Sequence, residues 1–140
     1  MSVATQTLSL RPASPLLRQA LWLDAVSSGA MSLLLMLFAD ALEPLLGLGA
    51  GLLRAVGVVF VPWVAFVVWA ATRQPVSRAG SIAVIALNDL WVIASFVALG
   101  LGWLQPTALG TAFVSFQALF VGAMAVLQFI GLKREGARAR

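Results

Sequence analysis

Two aspartates interrupt long apolar runs of the sequence, Asp24 within "LWLDAVSS" and Asp89 within "ALNDLWVIAS". A charge without a partner is costly in apolar surroundings, so each carboxylate needs a cation, hydrogen-bond donors or a proton. Acids in such positions are typical of proton relays, ion sites and structural polar clusters. We therefore expect any chemistry of this chain to centre on these two residues.

Other kinds of chemistry have few candidate residues here. The sequence has no Cys, His or Tyr, which excludes thiol nucleophiles, the usual zinc and haem ligands and a Ser-His-Asp arrangement. Ser28 and Ser32 lack His or Lys partners within reach, so no catalytic residue is predicted. We expect a protein that is not an enzyme and that holds neither a metal nor a cofactor.

The composition requires a membrane as the surroundings of the chain. Of 140 residues, 61% are hydrophobic and 10% charged, whereas soluble domains carry about 25% charged residues. Four apolar segments, at about 17–39, 46–71, 81–103 and 107–132, are long enough to cross a hydrocarbon layer of about 30 Å. The sequence predicts an all-α, integral membrane four-helix bundle over 16–132, with a flexible tail at 1–15 and a basic tail at 133–140.

The basic residues predict the orientation of the spans. They precede the first span, lie in the connection after the second, and follow the fourth, whereas the first connection carries only Asp40 and Glu43. The positive-inside rule then places both termini in the cytoplasm. The excess of positive charge marks this topology, and no nucleic-acid partner is predicted. An alternative is a secretory signal peptide that is cleaved, because a basic leader and an apolar run precede the small-residue site Ala39-Asp40-Ala41. The acid at Asp24 interrupts the apolar run and favours a first span that is retained.

Depth makes Asp89 the stronger candidate of the two acids. About nine residues of its span precede it, which corresponds to roughly 13 Å of helix, so Asp89 lies near the middle of the bilayer. Asp24 lies in the shallower, cytoplasmic half of its span, where water can hydrate it. Asn88 points about 100° away from Asp89 on a helix, so at most one of the two faces the bundle centre squarely.

Four further residues complete the predicted ligand or proton site. Arg54 either extends outward to pair with Asp40 or Glu43, or turns inward as an anion site. Gln117 supplies a neutral amide to the fourth span. Trp63 and Trp91 lie toward mid-membrane, where a kink at the preceding Pro62 could open a pocket for a hydrophobic ligand, although a tryptophan facing lipid is an equal alternative.

The two halves of the chain share a weak pattern. Each has an Asp early in its odd-numbered helix, an acidic or amide residue before a Pro in the following turn, then a Gly and a polar residue seven positions later. The matched pairs are Asp24 with Asp89, Glu43-Pro44 with Gln105-Pro106, Gly47 with Gly110, and Arg54 with Gln117. The pattern predicts two parallel helix-hairpin repeats, an arrangement that occurs in some transporters.

The order of "LDAVSSGAMSLLL", "EPLLGLG", "ALNDLWVIAS", "LGTAF" and "LQFIGLKR" resembles small four-span bacterial inner-membrane proteins of unassigned function. That resemblance covers nearly the whole chain and implies the fold and a bacterial origin. A looser similarity is to the small multidrug resistance transporters, whose first helix carries an essential acid. Asp24 occupies that place, but the expected Glu is missing and Asp89 has no counterpart in that family.

Two functions follow from these observations. The scarcity of polar groups favours a non-enzymatic bundle that binds a lipid-like ligand or a partner membrane protein. The two intramembrane acids, Arg54 and the repeat favour the alternative, a dimeric proton-coupled transporter of small molecules. Stripes of small residues, such as Gly47, Gly51 and Ala55, predict packing faces, and a stripe that is not used inside the bundle predicts a homodimer interface.

Overall fold

A computed structural model describes residues 15–140, which form four helices: α1 (Pro15–Leu46), α2 (Ala50–Thr72), α3 (Arg78–Gly100) and α4 (Ala108–Arg138). Each is long and apolar enough to cross a membrane. The predicted all-α four-helix bundle is confirmed over this part of the chain.

The helices form an antiparallel bundle with one open side. Helix α1 packs along both α2 and α4, and α3 packs along α4, whereas α2 and α3 meet in only a few places. One apolar cluster lies near the start of α1 and includes Leu17, Leu21 and Leu132. A second lies near the other end of the bundle and includes Leu35 and Leu53. Between these clusters the interior contains the buried side chains of Ser28, Ser32 and Asn88, and Asp24 lies beside the first cluster.

Close contacts between backbones depend on glycine. A Cβ on Gly131 would lie 2.7 Å from the backbone nitrogen of Leu17, and a Cβ on Gly110 would overlap the carbonyl of Leu46. These two positions join the opposite ends of α1 and α4, and any larger residue would force the helices apart. Of the stripe predicted for the second span, Gly47 packs closely, since a Cβ there would lie 2.7 Å from the backbone nitrogen of Thr107, whereas Gly51 has nothing within 4 Å of the place that its Cβ would take.

Local signals explain three of the helix ends. Ser77 and Thr107 are N-caps, and their hydroxyl oxygens accept hydrogen bonds from Gly80 N and Gly110 N, at 3.0 and 3.1 Å. Such caps satisfy amides that a helix start leaves without partners. Gly47 follows α1 with a φ of 67°, a conformation that suits glycine.

Three predicted boundaries differ from the structure. Helix α1 continues through Pro44 to Leu46, after a departure from helical geometry at Phe38. Pro44 removes only the hydrogen bond to the carbonyl of Asp40, an exposed residue near the helix end, so the helix does not stop there. The predicted basic tail at 133–140 is helical as far as Arg138. Of the predicted flexible tail, 1–14 lie outside the described residues and Pro15 begins α1.

Charge is divided between the two ends of the bundle. At one end of the bundle, α1 and α3 begin and α2 and α4 finish. All but one of the described basic residues lie there: Arg18, Arg73, Arg78, Lys133, Arg134, Arg138 and Arg140. The opposite end carries Asp40 and Glu43. The remaining arginine, Arg54, forms an ion pair with Asp40 there. The bundle therefore has a strongly basic end and a nearly neutral one.

Candidate functional site

A buried carboxylate lies where α1, α3 and α4 meet. Asp24 is 2% exposed, and its Oδ2 accepts hydrogen bonds from Asn88 Nδ2 and Gln128 Nε2, both at 2.7 Å. Its Oδ1 accepts a bond of 3.2 Å from Ser28 Oγ, one turn along the same helix. Three neutral donors therefore surround this carboxylate, and no basic side chain of residues 15–140 bonds to it.

Asn88 connects this cluster to the rest of the interior. Its amide nitrogen also donates to Gln128 Oε1, at 3.3 Å, so its two N–H groups point at Asp24 and Gln128. Asn88 is 3% exposed, and its carbonyl oxygen accepts no hydrogen bond from the described residues. Part of the surface of that oxygen is accessible. Among residues 15–140, the one side-chain nitrogen or oxygen that is both fully enclosed and without a hydrogen-bond partner is Arg18 Nε. The Asn88 oxygen is therefore accessible from the space that Asn88 borders.

That space is a cavity of about 720 Å³ on the open side of the bundle, and all four helices line it. Its wall is almost wholly apolar and contains six aromatic rings: Phe60, Trp63, Trp91, Phe113, Phe116 and Phe120. The polar residues in its lining are Ser27, Ser28, Asn88 and Gln117. Two of these four, Ser28 and Asn88, are the residues that donate to Asp24. The buried carboxylate thus lies directly behind the cavity wall.

The mouth of the cavity lies between α2 and α3. Several lining residues are also on the outer surface of the bundle, including Val59, which is 60% exposed, and Leu90, which is 59% exposed. Because α2 and α3 make little contact with each other, the cavity opens sideways, where acyl chains surround a protein in a bilayer. The opening therefore faces the hydrocarbon layer of a bilayer and not an aqueous path.

A second polar group fixes one wall of the cavity. Trp91 Nε1 donates to Gln117 Oε1 at 2.9 Å, and Gln117 Nε2 donates to Ser95 Oγ at 3.3 Å. The ring of Phe60 on α2 meets Trp91 on α3 edge to face, with centroids 5.2 Å apart. These contacts hold an indole ring at the gap between α2 and α3 with its polar edge already satisfied. Trp91 thus lines the cavity with its N–H group already bonded.

The prediction that ranked Asp89 above Asp24 needs correction. Asp89 is exposed on the outer surface of α3 and has no hydrogen-bond partner in the described part of the chain, whereas Asn88 faces the interior. The expectation that only one of this pair points to the centre is confirmed, and Asn88 is the one that does. The shallower acid, Asp24, is the buried one.

The other predicted residues divide into two groups. Trp63, Trp91 and Gln117 line the cavity. Arg54 lies outside the site and forms the outward ion pair with Asp40, the first of its two predicted alternatives. Pro62 lies within α2, which is continuous from Ala50 to Thr72.

Two residues of the candidate site were not among the predicted site residues. Ser28 lies four positions after Asp24, and that spacing places them on one helix face, so the signal was present. Gln128 is fully buried and bonded to Asp24, but nothing in the sequence places it beside an acid more than a hundred positions away.

Two matched pairs of the predicted repeat differ in their surroundings. Asp24 is buried while Asp89 is exposed, and Gln117 lines the cavity while Arg54 lies outside it. The two hairpins therefore contribute different residues to the interior.

The chain matches no protein-family model, no curated protein and no solved structure. The fold and the site define its class: a multi-pass membrane four-helix bundle with a side-opening aromatic cavity backed by a buried acid. Any further assignment depends on the geometry of that cavity.

Proposed function

We propose that this protein binds a lipid-like amphiphile in the cavity between α2 and α3 and that it is not an enzyme. The observation that carries the proposal is the composition of the cavity wall, which is apolar and aromatic except for a few polar groups on one side. Ligand sites are typically mostly apolar cavities of roughly 300–1,000 Å³ with a small number of placed polar groups. A volume of about 720 Å³ falls within that range.

The test is whether a molecule stays in the cavity when the protein leaves its membrane. Native mass spectrometry after gentle extraction should detect a bound amphiphile on the wild-type protein. Ala94→Phe adds a ring to the cavity lining and should remove it, whereas Ala123→Phe, at an exposed α4 position outside the lining, should not. A bare wild-type protein, or equal occupancy in both variants, would count against the proposal.

A second candidate function is dimeric proton-coupled transport of a small molecule. One observation favours it: the carboxylate of Asp24 is buried at the centre of the bundle, where acids commonly carry protons. In proteoliposomes with an imposed pH gradient, the transporter hypothesis requires substrate-dependent proton flux that Asp24→Asn abolishes and Asp89→Asn preserves. Flux that is absent, or equal in both variants, leaves ligand binding as the function.

The proposed location is a bacterial inner membrane, with both termini in the cytoplasm. The basic end of the bundle supports this orientation, because Lys and Arg next to spans stay on the cytoplasmic side. A reporter fused after Arg140 should be active only as a cytoplasmic fusion, and activity of a periplasmic reporter at that position would reverse the assignment. A second copy of the chain or another membrane protein are the proposed partners in the bilayer.

A further inference from the structure

We infer that the amphiphile bound in this cavity carries a protonated amine with N–H donors, which binds beside Asn88 and Ser28 and is attracted by Asp24. This inference rests on the proposed function, because it names the head group of the same ligand. Three independent features of the cavity wall lead to it.

The first feature is the hydrogen-bonding character of the wall next to Asp24. Both N–H groups of Asn88 point at other side chains, and its free oxygen is an acceptor. The hydroxyl hydrogen of Ser28 is directed at Asp24, which leaves the oxygen lone pairs of that hydroxyl to the cavity. A hydroxyl accepts through its lone pairs when its hydrogen is in use. The ligand must therefore supply donors.

The second feature is the charge behind the wall. Asp24 accepts only from neutral donors, and the basic residues of the described chain are either at the helix ends or, in the case of Arg54, paired with Asp40. Hydrogen bonds to an ionised group are stronger than neutral ones, and charges interact more strongly where water is excluded. A positively charged head group gains from this carboxylate more than a neutral alcohol does.

The third feature is the set of aromatic rings beside the polar wall. Trp63 and Trp91 line the same cavity as Asn88, and Phe60 contacts Trp91. The faces of such rings attract cations within about 6 Å, and tryptophan does so most strongly. The apolar remainder of the cavity accommodates the hydrocarbon tail. The N–H donors, the positive charge and the hydrocarbon tail of the ligand thus each have a complementary group in or behind the cavity wall.

Three probes with the same tail separate these contributions: dodecylamine in its protonated form, dodecyltrimethylammonium and dodecanol. The protein, labelled with 5-fluorotryptophan and placed in lipid nanodiscs, reports binding through the fluorine signals of Trp63 and Trp91. Trp103, which is 74% exposed and outside the cavity lining, is the internal reference. We expect half-saturation with dodecylamine at a concentration at least tenfold lower than with either other probe.

The matched pair Asp24→Asn and Asp89→Asn tests the origin of that preference. Asp24→Asn should bring dodecylamine to the level of dodecanol, whereas Asp89→Asn, with its acid on the outer surface, should keep the full difference. Thermal unfolding checks that both variants are folded. If Asp24→Asn is not, Ser28→Ala replaces it, and it should weaken dodecylamine several-fold and dodecanol less, because a hydrogen bond that involves an ionised group is the stronger one.

Each outcome separates this inference from the function on which it rests. If none of the probes shifts Trp63 or Trp91, the cavity is not a ligand site and both proposals fail. If all three bind alike, or if Asp24→Asn leaves the preference intact, ligand binding stands and the amine inference is overturned. If the quaternary probe equals dodecylamine, charge alone is recognised and the donor assignment is wrong.

Discussion

Asn88 on α3 donates an amide hydrogen to the carboxylate of Asp24 on α1 across 2.7 Å, although the two residues lie 64 positions apart. This bond joins the two hairpins at the level of the cavity, where apolar packing is interrupted. It also explains why the acid tolerates burial, because Gln128 and Ser28 complete the set of donors. The same group therefore belongs to the packing of the bundle and to the proposed binding site.

Replacing Asp24 with Asn should destabilise the bundle. The substitution exchanges one acceptor oxygen for an NH₂ group and sets donor against donor beside Asn88 and Gln128. A buried donor left without its partner costs about 1–3 kcal/mol. Thermal unfolding in detergent, followed by circular dichroism, should show a clearly lowered midpoint. An unchanged midpoint would mean that the cluster adds nothing to stability.

Replacing Asp89 with Leu should have the opposite effect. Asp89 is exposed near the middle of α3 and lacks a partner among residues 15–140, and an aspartate at the centre of a spanning helix costs about 2.5–3.5 kcal/mol on insertion. In an assay of membrane insertion of the α3 segment, Asp89→Leu should increase the inserted fraction. In the purified protein it should leave the melting midpoint equal or higher. A lower midpoint would reveal a partner for this carboxylate.

Replacing Gly131 with Ala should loosen the contact between α1 and α4. The added Cβ would lie 2.7–2.9 Å from three atoms of Leu17, two of them backbone atoms, which cannot move without shifting α1. Overpacking of this kind typically costs about 1–3 kcal/mol. Gly51→Ala is the control, because its Cβ would meet nothing, and alanine gains about 0.5–1 kcal/mol over glycine in a helix. Equal midpoints for the two variants would contradict the packing.

Replacing Arg54 with Ala should have a small effect. The ion pair with Asp40 is exposed on both sides, with side chains 48% and 79% accessible, and exposed pairs contribute about 0.2–1 kcal/mol. A double-mutant cycle with Asp40→Ala should give a coupling free energy within that range, and this coupling should be smaller in high salt than in low salt. A larger coupling would indicate that this end of the bundle excludes water.

The sequence predicted the helices well and the site only in part. Four long apolar segments identify four spans regardless of how they pack, so the fold class followed from composition and length. The distinction between Asp24 and Asp89 depends on how α1 and α3 rotate about their own axes, and depth along the chain carries no information on rotation. Gln128 became a partner of Asp24 only through packing between the first and last helices, which local patterns do not encode.

The weak contact between α2 and α3 has a consequence for biogenesis. The first hairpin makes most of its contacts internally, so it can pair as soon as both of its helices have left the ribosome. The second hairpin joins it chiefly through α4, the last helix to be synthesised, whose glycines meet α1 at both ends. Until α4 enters the membrane, the polar side chains of α1 and α3 have no complete set of partners. Truncated chains ending before α4 should therefore be recognised and degraded by membrane quality-control proteases.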